Sequence, residues 1–560
     1  MPSYNSLNGK PVSASGDILT GLLRGEMGFD GFCASDYGAV GNVHTVQKVG
    51  ESVTEAGWMC MAAGMDLEMQ SCTGFNAELA EQFRRGERDM AVLDRAVLRI
   101  LEAKFRMGLF EHPFALEGEA LRAAFFDGGD RALSLQSALE SMVLLKNDGV
   151  LPIANRVKKI AVIGPHAANA RSFFGGYTHL SMVEAVYAVA NSIAGLESGS
   201  IAGAQVPTVP GTQIQSDETE EFDAILRRQK PDCKSLVQEL RDALPAAEIL
   251  YSYGYAIAGD DDSRFPEALE IARQADLVIL TLGGKHGSCS VASMGEGVDA
   301  TDINLPVCQD RFLEETSKLG KPLVGIHFNG HPISSDCADR TPDAILEAWN
   351  PAETGAEAIV KVLLGAYDPG GRLPVSVARN AGQIPVCYDH PNGSAWHQGG
   401  SIGFSDYVDL PHTPRYCFGF GLSYTSFDYS GLRLSKAAVS PEECIEVRCR
   451  VRNTGERDGD EVVQLYISDR YASRTRPVKE LAGFCRVFLR AGEEKTVRFT
   501  LRADQMAFLD DMRWKVEKGA FDVSVGGSSE DARLRGSYEV MSSAFIDGKD
   551  RGFYAEAAVL

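Results

Sequence analysis

GFDGFCASDYGAV, residues 28–40, sets the reading of this chain. An apolar run, Gly31-Phe32-Cys33-Ala34, stops at a lone carboxylate, Asp36, held in Ser35-Asp36-Tyr37-Gly38. The pattern predicts a buried strand that ends in a polar loop. Spacing alone leaves two uses for the carboxylate: capping the next helix, or chemistry at the end of a strand. TEAGWMCMAAGMDLEM follows as a helical stretch, and then LDRAVLRILEAKFRMGLF over 93–110, where Val97, Ile100, Leu101 and Phe105 recur every three to four residues as one apolar helix face. Strand, helix, strand, helix predicts a parallel α/β arrangement.

Farther along, residues 111–130 read as a linker and ALSLQSALESMVLLKN as a helix. KIAVIGP (159–165), DLVILTLGG (276–284), PLVGIHFNG (322–330) and AILEAW (344–349) are apolar without alternation, as strands covered on both faces are. Helices such as RFPEALEIARQA lie between them, so a second α/β domain is expected, with the polar residues 196–240 as an insertion or long loop. From about 430 the period changes to two. IEVRCRVRNTG, EVVQLYISD, KTVRFTL and FDVSVGG alternate apolar and polar, which predicts a β-sandwich. Cys444 and Cys449 are expected on opposite faces of one strand, and Tyr466 alternates like a core residue.

At 560 residues the chain is too long for one core. A net charge of −22 repels phosphate backbones and anionic lipid, which argues against nucleic acid and membrane surfaces as partners. No apolar run reaches the ~20 residues needed to span a bilayer. The 12 cysteines are scattered without a Cys-x-x-Cys pair, and a close His/Cys pair such as His286 with Cys289 is too little to hold a metal, so no zinc site is expected. No GxGxxG, P-loop lysine, GxSxG elbow or HExxH helix is present. The chain opens without a secretory signal pattern, which favours the cytoplasm, although a shortened N-terminus would remove such a signal too.

MPSYNSLNGKPV, LLRGEMGFDGFCASDYGAV, AAGMDLEM, SMVLLKNDGVLPI, GEGVDATDINLPVCQ, PGGRLPVSVARNAGQIPVCY, CFGFGLSYTSFDYS and VRNTGERDGDEVVQLYISD…TRPVKELAGF occur in that order from residue 1 to about 535. Together they resemble family 3 glycoside hydrolases of the β-glucosidase/β-xylosidase type. The resemblance implies a multidomain α/β plus β fold: the C-terminal portion of a (β/α) barrel over 1–112, a linker over 113–129, an α/β sandwich with a largely parallel sheet over 130–390, a connecting segment over 391–428, a fibronectin type III-like domain over 429–540 and a tail over 541–560. In the family the Met-x-Ser-Tyr-Asn motif lies inside the barrel. Its place at residue 1 implies that about five of the eight barrel strands are absent. With them would go an Asp, an Arg and a Lys-His pair that hold sugar hydroxyls.

The implied activity is a retaining exo-β-glycosidase acting on terminal β-D-glucosyl or β-D-xylosyl residues of an oligosaccharide or an aryl or alkyl glycoside. The alternative is an inactive fragment or half-enzyme that needs a complementing N-terminal fragment; a homo-oligomer is a further possible assembly. No cofactor is expected, because retention needs only two carboxyl groups ~5–5.5 Å apart. Asp36 matches the family nucleophile and Glu296, in Met294-Gly295-Glu296-Gly297, the acid/base, with Asp299 and Glu347 as lesser candidates. Without the resemblance Glu296 reads as a solvated loop residue. Tyr4 matches a family tyrosine whose hydroxyl can donate to the nucleophile, as against a core tyrosine. Tyr37 stands where many members have Trp and can wall the leaving group. Met1 matches an active-site Met. Asp66 and Glu68 fit the end of the eighth barrel strand as supporting groups, Lys285-His286 reads as a solvated loop or an entrance to the site, and Asn329-Gly330-His331-Pro332 as an architectural turn.

Overall fold

The computed structural model describes residues 1–125, 129–154, 156–187, 192–193, 196–197, 207–218, 220–287, 292–394 and 406–560. Two compact units emerge, Met1–Asp127 with Asn191–Ser200, and Gly128–Ala190 with Ile201–Leu560.

Helices dominate the first unit. Val53–Ala63, Ala77–Arg84 and Met90–Arg106 begin on Ser52, Asn76 and Asp89, whose side chains accept the amides of Glu55, Leu79 and Ala91. Such caps satisfy donors that the first turn leaves free. Leu19, Cys33, Val40, Val43, Cys60 and Met65 form a small core beneath them. The buried strand expected within 28–40 is reduced to a parallel bridge between Ala34 and Leu67. Upstream, the Phe29 and Gly31 carbonyls accept the Arg24 guanidinium at 3.4 and 2.7 Å, so a side chain satisfies what a ladder would. The apolar face expected on 93–110 is also only partly covered: Val97 is 45% and Phe105 62% exposed. That helix is held instead by Val92, Leu93 and Ala96, and by Arg99 on Asp66. Within the expected linker, Gly118–Phe125 is helical.

A six-stranded sheet forms the heart of the second unit. Its strands are β1 (Val143–Asn147), β2 (Lys159–Ile163), β3 (Glu248–Ser252), β4 (Leu277–Gly283), β5 (Leu323–Phe328) and β6 (Ala344–Glu347), in the order β1-β6-β5-β4-β2-β3. All neighbours are parallel except β1 with β6. Ile160 and Val162 face one core, with helices Leu236–Ala243 and Gly355–Leu363, while Ala161 and Ile163 face another, with Phe265–Gln274 and Val307–Ser317. Both faces are covered, which explains runs such as LVILTLG with all seven residues buried. The helix expected through residue 147 ends at Ser141, because Val143–Asn147 pairs with β6. The segment expected as a loop over 196–240 holds the helix Glu220–Gln229 and the start of Leu236–Ala243.

Downstream, a four-stranded and a five-stranded antiparallel-rich sheet pack their inner faces together, with Val447 and Phe499 from one against Val463 and Val525 from the other. Cys444 is exposed and Cys449 buried on the strand they share, and Tyr466 is buried. The segment between the sheet and the sandwich is bonded to each: Arg372 forms a buried pair with Glu461 of the sandwich at 3.1 Å, and the Leu422 amide donates to the Leu144 carbonyl of β1 at 2.8 Å.

Candidate active site

In the first unit, Asp36 follows directly on the bridged stretch Cys33-Ala34-Ser35. The Ser35 amide donates to the Leu67 carbonyl, and the Asp66 amide to the Cys33 carbonyl, both at 2.8 Å. Two chain segments thus run side by side and each releases acidic residues at its end, as the C-terminal rim of a barrel does. The Asp36 carboxylate accepts the Tyr37 amide at 2.8 Å and is partly exposed. Helix Ala39–Thr45 takes Gly38 at its N-cap without a side-chain cap, so the capping use of Asp36 is not the one adopted.

Tyr4 braces this loop: its hydroxyl donates to the Tyr37 carbonyl at 2.8 Å, and its own carbonyl accepts Gln47 Nε2 at 2.8 Å. Tyr37 is 38% exposed and Met1 76%. Asp66 is buried and accepts Arg24 at 2.8 Å, Arg99 at 2.9 Å and the Cys33 amide at 2.9 Å. It thereby fixes the backbone three residues before Asp36. Glu68 accepts the Gly74 and Phe75 amides; burial pushes its carboxyl above the usual range, and those amides pull it back.

In the second unit, strand order reverses direction around β2. The chain leaves β2 for β3 on one side and leaves β4 for β5 on the other. Ligands of open α/β sheets bind in the crevice at the carboxyl ends of such a strand pair. The segment after β2 carries Gly175-Gly176-Tyr177, and the segment after β4 carries Lys285, His286 and Glu296. Glu296 sits at the tip of a tight turn closed by the Val298 amide on the Gly295 carbonyl at 3.2 Å. Gly295 (φ +128°) and Gly297 (φ +68°) both occupy the left-handed half of backbone space, and a Cβ on Gly295 would lie 1.8 Å from the Gly287 carbonyl oxygen. The Glu296 carboxylate is exposed and accepts the Tyr177 hydroxyl. Met294–Gly295 pairs with His286–Gly287, which anchors the turn.

Lys285 is not the solvated residue expected. It is 1% exposed, and its Nζ stands 3.2 Å from Glu184 Oε2, also buried, with Arg171 on the other side of Glu184 at 3.9 Å. His286 Nδ1 accepts the Gly176 amide at 3.0 Å; burial holds the ring below the usual imidazole range, with the Lys285 and His331 charges adding to it. Glu347 is buried and accepts both bonds of Asn329 Nδ2 at 2.9 Å, a bracing role inside the sheet. Asp299 is exposed and lines a cavity of about 730 Å³ together with His286, Val298, His331, Tyr388 and Phe418. Cys289 lies outside the described residues. Among the described residues no group of three or more His, Cys, Asp or Glu is placed to hold a metal ion. Sequence reasoning missed Tyr177, Glu184 and Arg171; the Gly-Gly pair before Tyr177 was the one available signal.

Comparison with known proteins fits this architecture. Residues 1–103 match the glycosyl hydrolase family 3 N-terminal domain, 142–424 the family 3 C-terminal domain, and 461–529 a fibronectin type III-like domain. A β-xylosidase of Formosa agariphila is 33% identical over 543 residues, covering 95% of this chain and 67% of the relative. A periplasmic β-glucosidase of Salmonella typhimurium is 33% identical over 555 residues, covering 97% and 67%. The crystal structure of a β-glucosidase from Listeria innocua in complex with glucose superposes with a TM-score of 0.80 at 30% identity, covering 96% of this chain and 67% of that one. The chain thus spans about two thirds of the length of these relatives, and with both of its family domains matched in order it belongs to glycosyl hydrolase family 3.

Proposed function

We propose that the protein is a retaining exo-β-glycosidase that removes a terminal β-D-glucosyl or β-D-xylosyl residue by double displacement. Asp36 attacks the anomeric carbon while Glu296 gives its proton to the glycosidic oxygen, and the leaving alcohol departs. Glu296, now a carboxylate, takes a proton from water; the oxygen attacks the same carbon and frees Asp36. The mechanism requires the two carboxyl groups to stand ~5–5.5 Å apart. Tyr4 and Asp66 hold the backbone around Asp36, and Tyr37 offers an apolar wall to the leaving group.

The observation that supports this reading most is the placement of the two carboxylates in the two matched family domains, Asp36 within 1–103 and Glu296 within 142–424. The test is turnover of p-nitrophenyl β-glucoside and β-xyloside by the purified chain, with Asp36→Asn as control. A 2-fluoro glycoside should add one sugar mass to the peptide that carries Asp36. Turnover that survives Asp36→Asn, or a label on another peptide, overturns the assignment. A second reading follows from the two-thirds coverage of the relatives: the 560-residue chain turns over only with the remaining third supplied in trans. A folded chain without activity, made active by that addition, would select it.

A further inference from the structure

We propose that Tyr177 is the positioning residue of Glu296, and that the segment from Gly175 to Glu184 exists to hold the two together. The proposal rests on Glu296 being the proton donor. Three contacts join this segment to the 285–296 stretch. Tyr177 Oη donates to the Glu296 carboxylate, the Gly176 amide donates to His286 Nδ1 at 3.0 Å, and Glu184 pairs with Lys285 at 3.2 Å. The residues that flank Tyr177 therefore grip the residues that lead to Glu296, so the phenol and the carboxylate are carried by one scaffold.

Each grip is specific in chemistry. Because His286 Nδ1 accepts an amide hydrogen, the ring is neutral with its proton on Nε2. The ring lies so close against Gly330 that a Cβ there would come within 2.1 Å of Cδ2, which leaves the ring no room to move toward that strand end. The Lys285 ammonium and the Glu184 carboxylate are both removed from water, and such a pair is costly to break from one side. The Lys285 backbone is clamped as well: its amide donates to Ser293 Oγ at 3.0 Å and its carbonyl accepts the Ser293 amide at 2.9 Å. Tyr177 itself is held at φ +63°, a conformation uncommon for an aromatic residue.

The contact has a use in both half-reactions. A phenol that donates to one carboxylate oxygen fixes the carboxyl plane and leaves the other oxygen to carry the proton toward the leaving group, or to receive it from water. The demand on that proton grows with the basicity of the leaving group, because an acidic phenol departs with little help and an alkanol does not.

Two measurements test this. The first compares kcat/KM of the full chain and of Tyr177→Phe and Glu296→Gln on p-nitrophenyl and on alkyl β-glucosides. Tyr177→Phe should lose about 10-fold or more on the alkyl glycoside and far less on the nitrophenyl one, with Glu296→Gln showing the same tilt on a larger scale. Equal losses on both substrates overturn the Tyr177 proposal, whereas a Glu296→Gln variant without the tilt removes the acid assignment beneath it. The second needs no turnover: in a chain with 13C-labelled Glu carboxyls, the resonance lost in Glu296→Gln must move in Tyr177→Phe. A resonance that stays in place overturns the proposal whatever the activity.

Discussion

Consider Asp66→Asn. The substitution preserves shape and removes one buried charge, leaving Arg24 and Arg99 to face each other. Both guanidiniums now contact the carboxylate, at 2.8 and 2.9 Å, and their side chains are only 10% and 17% exposed. Burial already holds Arg24 below the usual guanidinium range, Arg99's charge adds to this, and Asp66 opposes it. Removing one member of a buried pair costs about 3–5 kcal/mol, and the residual exposure of the arginines places this case near 3 kcal/mol. At about 1.4 kcal/mol per factor of ten, local opening should become about 100-fold more frequent. The assay is hydrogen exchange followed by mass spectrometry. The amides of Cys33, Ser35 and Asp66, bonded respectively to Asp66 Oδ2, the Leu67 carbonyl and the Cys33 carbonyl, should exchange faster by that factor. Peptides from Leu277–Gly283 should be unchanged. Exchange of the first group within about threefold of the native rate would refute the idea that this ion triad secures the Asp36 loop.

Gly295→Ala should abolish turnover while leaving the unfolding midpoint close to native, since a Cβ there meets the Gly287 carbonyl and breaks only the Glu296 turn; a fully active variant would show that the turn can be rebuilt. Asp469 offers a pH test, because burial pushes its carboxyl up to about 6 from 3.8, with Arg476 at 4.0 Å pulling the other way. The folded state then binds the proton more tightly than the unfolded state. Its stabilising effect is present below about pH 4 and fades as pH rises to about 6. Asp469→Asn should therefore raise the melting temperature relative to the native chain above pH 6 by more than at pH 4, and a difference that is flat or of opposite sign refutes the shift.

Strands covered on both faces were legible because nothing but apolar residues fits there: β2, β4, β5 and β6 all announce themselves. The alternating strands of the sandwich were equally plain. Legibility failed at sheet edges. Strand β3 reads EILYS, short and half-exposed, and no periodicity marks it. Strand β1 was absorbed into the preceding helix, because a brief apolar run has no period of its own and only pairing with β6 decides its state. At the candidate site, Asp36 and Glu296 stand inside motifs that can be picked out of the sequence, and they remain the proposed pair. The charges of Arg171, Glu184 and Lys285 were not legible, since two of them belong to segments about a hundred residues before the third and only the fold neutralises them.

Everything that shapes the Glu296 turn — Tyr177, His286, Lys285, Glu184 and the glycines — belongs to one and the same compact unit. On the proposed assignment of Glu296 as proton donor, the groups that hold its carboxylate therefore fold together within that unit. An engineer who replaced residues 1–127 would therefore leave the hydrogen bonds and the ion pair around the Glu296 turn in place.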